Sequence, residues 1–165
     1  MRYILVSACL LGLNTRYNGK NNFREEIVKL IEKGIILIPV CPEQLGGLPT
    51  PRENAEIIGG DGSDVLRGTA RVITKSGRDV TNEFIKGAKE TLKVARLYNI
   101  TLAILKAKSP SCGKGVIYDG TFTSSTKNGD GVTAAYLKMN NINVLTENEL
   151  SEIQKLYSKP NKNKS

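Results

Sequence analysis

Apolar residues in the first forty positions occur in two short continuous runs, separated by a stretch with helical spacing. Residues 3–6 are too few and too β-branched for a helix, and residues 35–40 are typical of a strand buried on both faces of a parallel sheet. Between them, residues 22–33 have a helical apolar spacing that Gly34 ends, with Phe23, Ile27, Leu30 and Ile31 on the apolar face. This order predicts a βαβ unit.

The same alternation returns after residue 81. Thr81 is predicted to cap a long amphipathic helix that ends near Tyr98. A strand, a helix, a strand and a closing helix are then predicted at residues 102–105, 131–139, 142–145 and 147–157. Such alternation predicts an α/β protein with a three-layer, Rossmann-like fold around a mostly parallel sheet.

Residues 45–81 interrupt this pattern because they are rich in glycine, proline and charge. Two alternating segments, 55–58 and 69–74, flank a glycine-rich stretch, and they predict an insertion that contains a small β-hairpin. With 165 residues, of which 39 % are hydrophobic, the chain is expected to form one domain over residues 1–157. Residues 158–165 are lysine-rich and polar, which predicts a disordered basic tail.

Composition narrows the possible functions. No apolar run approaches the roughly 18 residues of a membrane span, and the first residues lack the features of a signal peptide, so a cytoplasmic protein without membrane association is expected. The chain has no histidine, which excludes Ser-His-Asp and Cys-His catalysis and histidine-ligated zinc. A net charge of +8 favours anionic partners such as nucleotides or RNA, although only 5 % of residues are aromatic and few bases could stack.

The three cysteines each follow the carboxyl end of a different predicted strand. Cys9 lies three residues after the first strand, Cys41 directly follows the second, and Cys112 comes seven residues after the third. Because the carboxyl ends of parallel strands share one edge of a sheet, the three thiols are expected to converge there. Free cysteine is often only a small buried hydrophobe, but all three lie in loops beside glycine or proline. A metal site is therefore the favoured interpretation.

Three thiolates suit more than one metal. Soft sulfur ligands select zinc, copper(I) or iron-sulfur clusters, and a [4Fe-4S] cluster with only three cysteines leaves one iron open for a substrate. A zinc site of three cysteines completed by Glu43 fits the spacing equally well. The residues alone thus leave open an iron-sulfur enzyme, a zinc-dependent hydrolase with Glu43 as its base, and a non-catalytic protein that binds a cluster or a sulfur species.

Several segments in order resemble the thiouracil desulfidase family. They are VSACLLG (6–12), RYNG (16–19), PVCPEQLGGLPTPR (39–52), DVT (79–81), FIKGA (84–88), ILKAKSPSCGKG (104–115), IYDG (117–120) and GDGVTAAYL (129–137). The resemblance implies an oxygen-sensitive [4Fe-4S] cluster on Cys9, Cys41 and Cys112, and non-redox removal of sulfur from thiouracil or a related thiolated nucleobase or nucleotide, with release of hydrogen sulfide. It also implies catalytic roles for Glu43 and Ser109.

Four further residues are candidates for substrate binding. Arg16 and Lys108 are basic residues near the cysteine loops and could bind a nucleotide phosphate. Ser111 could hold the ring or relay a proton, and Gly131 belongs to a turn whose backbone N–H groups could face a phosphate or a pyrimidine oxygen. The predicted partner is a small thiolated pyrimidine or nucleotide, with thiolated RNA as a further possible substrate.

Overall fold

A computed structural model of the protein describes residues 2–158. Its strands are β1 (Arg2–Ser7), β2 (Ile35–Val40), β3 (Ala55–Ile58), β4 (Arg71–Thr74), β5 (Leu102–Leu105), β6 (Val116–Tyr118), β7 (Thr126–Asn128) and β8 (Asn143–Thr146). Its α-helices are α1 (Glu25–Val28), α2 (Pro42–Leu45), α3 (Gly62–Arg67), α4 (Thr81–Leu97), α5 (Val132–Met139) and α6 (Leu150–Ser158). Two 3₁₀ helices span Ala8–Leu11 and Lys29–Lys33.

The central sheet is parallel, in the order β2-β1-β5-β8, and helices cover both of its faces. On one face, α4 and α5 contribute Leu92, Ala95, Ala134 and Leu137 to the core. On the other, Leu10, Ile27 and Leu30 pack with Ile153 of α6 against β1 and β5. The α/β fold with a mostly parallel sheet is therefore confirmed. No helix within residues 2–158 is long and apolar enough to cross a membrane.

The register of the sheet places three strand ends side by side. Ser7 pairs with Val40 at the ends of β1 and β2, and Val6 of β1 pairs with Ile104 of β5. Because all three strands run in the same direction, the loops that follow them emerge from the same edge. That edge carries the cysteine loops.

Two features of the βαβ unit differ from the sequence-based prediction. The helix expected at residues 22–33 begins only at Glu25 and tightens into a 3₁₀ helix, so Phe23 and Ile31 are exposed rather than buried. Strand β2, expected to be buried on both faces, lies at the edge of the sheet and is partly exposed. An edge position also accommodates Pro39, which has no N–H to give to a neighbouring strand.

The predicted hairpin insertion is confirmed, because β3 and β4 pair antiparallel. Between them lies helix α3, which the sequence did not predict among its glycines; Asp61 and Asp64 form a capping box at its start. A second hairpin, β6 and β7, was also missed. Thr81 is the first residue of α4 rather than its cap, and its hydroxyl accepts a hydrogen bond from the Val72 N–H. Of the predicted tail, residues 159–165 lie outside the described residues.

Candidate active site

The three cysteines line one cavity of about 290 Å³ at the carboxyl edge of the sheet. Cys9 lies in the 3₁₀ helix after β1, Cys41 lies between β2 and α2, and Cys112 lies in the loop after β5. Cys9 and Cys112 are buried, whereas Cys41 is partly exposed, and all three are free thiols. The topology thus brings together residues that are far apart in the sequence.

A zinc ion and an iron-sulfur cluster place different demands on the spacing of their ligands. No group of three or more Cys, Asp or Glu side chains in residues 2–158 is placed to hold a single metal ion. A zinc ion needs its ligands within about 2.3 Å of one point, so its sulfurs must nearly touch. In a cluster of several irons each cysteine binds a different iron, and the ligands lie farther apart. Three thiols around one cavity are a donor set that such a cluster can take, with one thiol on each of three irons.

Each thiol is in surroundings that favour its protonated form. Burial raises the pKa of Cys9, Cys41 and Cys112, most strongly for Cys112, and the negative charge of Glu43 raises each of them further. The charge of Lys106 acts in the opposite direction on Cys9. Because a metal binds thiolates, loading the site at neutral pH must release protons.

Polar neighbours orient two of the sulfurs. The side-chain amide of Asn22 donates to Cys9 Sγ at 3.7 Å, and the Cys41 thiol donates to the backbone carbonyl of Thr15, also at 3.7 Å. Asn22 and Thr15 both line the cavity. The loop after the first 3₁₀ helix therefore supplies contacts to two of the three cysteines.

Glu43 lies two residues after Cys41, in the first turn of α2, and lines the same cavity. Its Oε2 accepts hydrogen bonds from Arg52 Nε at 3.0 Å and from Arg52 Nη2 at 2.5 Å. The Arg52 side chain is only 5 % exposed, so this ion pair is shielded from water. No donor within residues 2–158 bonds to the other oxygen, Oε1, which leaves it available to a ligand or to water.

The two serines near Cys112 are placed differently. Ser109 lines the cavity, and its hydroxyl oxygen accepts hydrogen bonds from the backbone N–H groups of Ser111 and Cys112, both at 3.1 Å. Ser109 therefore shapes the loop that carries Cys112. Ser111 is buried away from the cavity, where its hydroxyl lies 2.9 Å from that of Thr133.

The start of α5 packs against the loop of Cys112. The Gly131 N–H donates to the Gly113 carbonyl at 2.8 Å, and the N–H groups of the next residues donate to the carbonyls of Pro110 and Ser111. A Cβ on Gly131 would lie 2.5 Å from the Ser111 carbonyl oxygen, so only glycine allows this approach. These N–H groups bond to protein carbonyls and are not directed at a ligand. The close packing of α5 against the Cys112 loop accounts for the glycine at position 131, which does not line the cavity.

The predicted basic residues are separated by the fold. Arg16 lines the cavity, with its guanidinium 5.7 Å from the centre of the Tyr17 ring. Lys108 is exposed and does not line the cavity. Lys106, which does line it, pairs with the buried carboxylate of Glu147 at 2.8 Å.

The hairpin insertion also contributes to the cavity, which the sequence did not indicate. From the insertion, the cavity is lined by Glu53, Asn54, Glu56 and Arg78. The second hairpin, β6 and β7, adds Tyr118 and Phe122. The only signal in the sequence was the charge and glycine content of residues 45–81. These residues extend the walls of the cavity well beyond the three cysteines.

Comparisons with known proteins agree with this geometry. Residues 4–149 match the family model described as 2-thiouracil desulfurase. The chain is 52 % identical over 150 residues to the protein YbbK of Bacillus subtilis (strain 168), covering 91 % of this chain and 99 % of YbbK. Its structure resembles that of TudS, a [4Fe-4S]-dependent thiouracil desulfidase, with a TM-score of 0.83 and 39 % identity over 96 % of this chain and 99 % of TudS.

Proposed function

Because this chain belongs to the 2-thiouracil desulfurase family, we propose that it removes sulfur from thiouracil with a [4Fe-4S] cluster held by Cys9, Cys41 and Cys112. The observation that carries the proposal is that all three cysteines line one cavity in a chain that resembles a [4Fe-4S]-dependent desulfidase. A cluster with three cysteine ligands has one open iron, a Lewis acid that suits a soft thiocarbonyl sulfur. This comparison favours the cluster over a zinc-dependent hydrolase.

The reaction is a hydrolysis without net oxidation or reduction. Water adds its oxygen to the thiocarbonyl carbon, the C–S bond breaks, and the sulfur leaves with two protons as hydrogen sulfide. We assign to Glu43 the removal of a proton from the attacking water, because its Oε1 has no donor within residues 2–158. General-base catalysis of this kind typically contributes about 10² to 10⁴ in rate.

Ser109 is proposed to supply a hydrogen bond at the same site. Its oxygen accepts two backbone N–H groups, so its own O–H points elsewhere and can donate to the substrate or pass a proton. Without a histidine in the chain, it has no partner to activate it as a nucleophile. Ser109 thus acts as a donor to the substrate, not as an attacking group.

We further propose that the thiouracil can be carried on a nucleotide. Arg16 lines the cavity and makes no salt bridge with a carboxylate in the described part of the chain, so its guanidinium can bind a phosphate. Comparing kcat/KM for 2-thiouracil and for a thiolated uridine monophosphate, in the parent protein and in Arg16→Gln, tests this. A loss confined to the nucleotide supports it, and adding a thiolated oligoribonucleotide to the same assay tests thiolated RNA as a substrate.

The activity is tested by incubating anaerobically reconstituted protein with 2-thiouracil and measuring uracil and sulfide. Equal amounts of both products are expected. A protein that holds its cluster but leaves 2-thiouracil intact would instead be a non-catalytic cluster carrier. Three free cysteines at one site fit a reducing compartment, and we propose the cytoplasm.

A further inference from the structure

Glu56 is a buried carboxylate that no cation pairs with among the described residues. It lies on β3, is 2 % exposed and lines the cavity. No lysine or arginine within residues 2–158 forms a salt bridge with it. Burying a carboxylate is costly unless it is paired and hydrogen-bonded, and glutamate is almost never fully buried without a partner. The position of Glu56 therefore calls for a chemical explanation.

Within residues 2–158, hydrogen-bond donors reach only one of its two carboxylate oxygens. Oε2 accepts hydrogen bonds from the backbone N–H of Gly120 at 2.8 Å and of Phe122 at 3.1 Å. For Oε1, no donor is found among the described residues. A buried acceptor without a donor costs free energy, because it has lost the hydrogen bonds that it makes to water in the unfolded chain. A donor from a bound molecule would restore them.

The loop that Glu56 holds forms a wall of the cavity. It connects β6 to β7, and its residues Phe122 and Ser124 line the cavity together with Glu56. Tyr118, the last residue of β6, lines the cavity beside them. Phe122 has a φ of 58°, a left-handed conformation that is unfavourable for a residue with a side chain. The hydrogen bond from its N–H to Glu56 helps to hold it there. The carboxylate and two aromatic residues therefore lie along one wall.

We propose that Glu56 determines specificity by accepting a hydrogen bond from a ring N–H of the thiolated pyrimidine. The inference rests on the proposed function and extends it to one recognition contact. Thiouracil is flat and carries N–H donors at its edge, so it matches a carboxylate oxygen next to aromatic surface. A site built to bind an N–H group of its substrate rejects an analogue that lacks this group, because the buried acceptor of the protein is then left unpaired.

The test combines a protein variant with ligand variants in the reconstituted, cluster-containing protein. In Glu56→Gln the amide oxygen can still accept from Gly120 and Phe122, but the NH₂ group replaces the free acceptor with a donor. The substrates are 2-thiouracil, 1-methyl-2-thiouracil and 3-methyl-2-thiouracil, each of the latter two lacking one N–H. Glu53→Gln is the matched control, because Glu53 lines the same cavity but bonds to Ser76 through both oxygens.

In the parent protein, one methylated substrate is expected to lose about 10- to 100-fold in kcat/KM relative to 2-thiouracil, the usual worth of a hydrogen bond to a charged group. Glu56→Gln should lower kcat/KM for 2-thiouracil by a similar factor. It should also abolish most of the difference in kcat/KM between 2-thiouracil and the methylated substrate that is sensitive in the parent protein. Glu53→Gln should keep that difference. If Glu56→Gln does not fold, Glu56→Asp takes its place with the same expectation. The shorter aspartate carboxylate cannot reach the loop N–H groups and the ring N–H of the substrate at the same time.

Two results would overturn the inference alone. One is equal kcat/KM for all three substrates in the parent protein. The other is a methylation penalty that is the same in the parent protein and in the Glu56 variant, because a steric clash would persist in both. Absence of sulfide release from every substrate in the parent protein would overturn the proposed function itself.

Discussion

Arg52 binds Glu43 through a single carboxylate oxygen, with Nε at 3.0 Å and Nη2 at 2.5 Å from Oε2. The same Nη2 donates to the carbonyl of Thr15 at 2.9 Å, and that carbonyl also accepts from the Cys41 thiol. One buried guanidinium thus connects the proposed base to the loop beside a proposed cluster ligand. The pair fixes the orientation of Glu43 while leaving Oε1 for water.

Replacing Glu43 by glutamine removes the proton acceptor but keeps the shape of the side chain. Turnover of 2-thiouracil is expected to fall by about 10² to 10⁴, with the iron content unchanged. Glu53→Gln is the control, since it makes the same change of charge at the same cavity without touching Glu43. Turnover equal to that of the parent protein would exclude Glu43 as the base.

Arg52→Lys keeps the positive charge but loses the planar fork that reaches Glu43, Thr15 and Thr50 together. We expect the free energy of unfolding to fall by about 2 kcal/mol and kcat to fall at least about ten-fold, because several buried hydrogen bonds are lost and Glu43 is no longer oriented. Denaturant unfolding and steady-state kinetics measure both. Arg78→Lys, an exposed position at the same cavity, should change neither by a comparable amount.

Cys112 is expected to be essential for cluster binding. Serine retains the size of the side chain but replaces the soft thiolate with a hard, weakly acidic hydroxyl, so Cys112→Ser should lose most of its iron after anaerobic reconstitution. Iron and sulfide analysis gives the result, and circular dichroism checks that the variant is folded. Full iron content in the folded variant would show that Cys112 is not a ligand.

The burial of Cys112 also predicts a pH dependence for the metal-free protein. Its pKa is raised above the ordinary value of 9.0, so the unfolded chain releases this proton at lower pH than the folded chain. The Cys112 thiol therefore lowers the free energy of unfolding only as the pH rises beyond about 9, where the unfolded chain loses this proton and the folded chain keeps it. Between pH 9 and 10, the free energy of unfolding of the parent protein should fall by about 1 kcal/mol more than that of Cys112→Ala. Identical pH profiles of the two would contradict this.

The sequence predicted the parts of the site that follow clear apolar runs. The strands before Cys9, Cys41 and Cys112 are short, continuous and apolar, and parallel topology brings their ends together. The cavity itself was not predicted beyond these loops. Glu56, for example, is a charged residue in the short segment AEII, and it is buried where the backbone of the loop between β6 and β7 donates to it.

The ends of helices were predicted less well because tertiary contacts decide them. The helix expected from residue 22 begins at Glu25, since the N–H groups of Asn22 and Arg24 bond instead to the carbonyls of Cys9 and Leu10. Gly131 looked like part of an anion-binding turn, yet its N–H donates to the loop of Cys112. A local motif does not reveal which distant carbonyl its donors will meet.

The central claim is that the three cysteines hold a [4Fe-4S] cluster, and metal analysis of protein reconstituted without oxygen tests it most directly. The account predicts about four irons and four sulfides per chain, with a broad absorption band from iron-sulfur charge transfer. A colourless protein with about one zinc per chain, or with no metal after reconstitution, would contradict it.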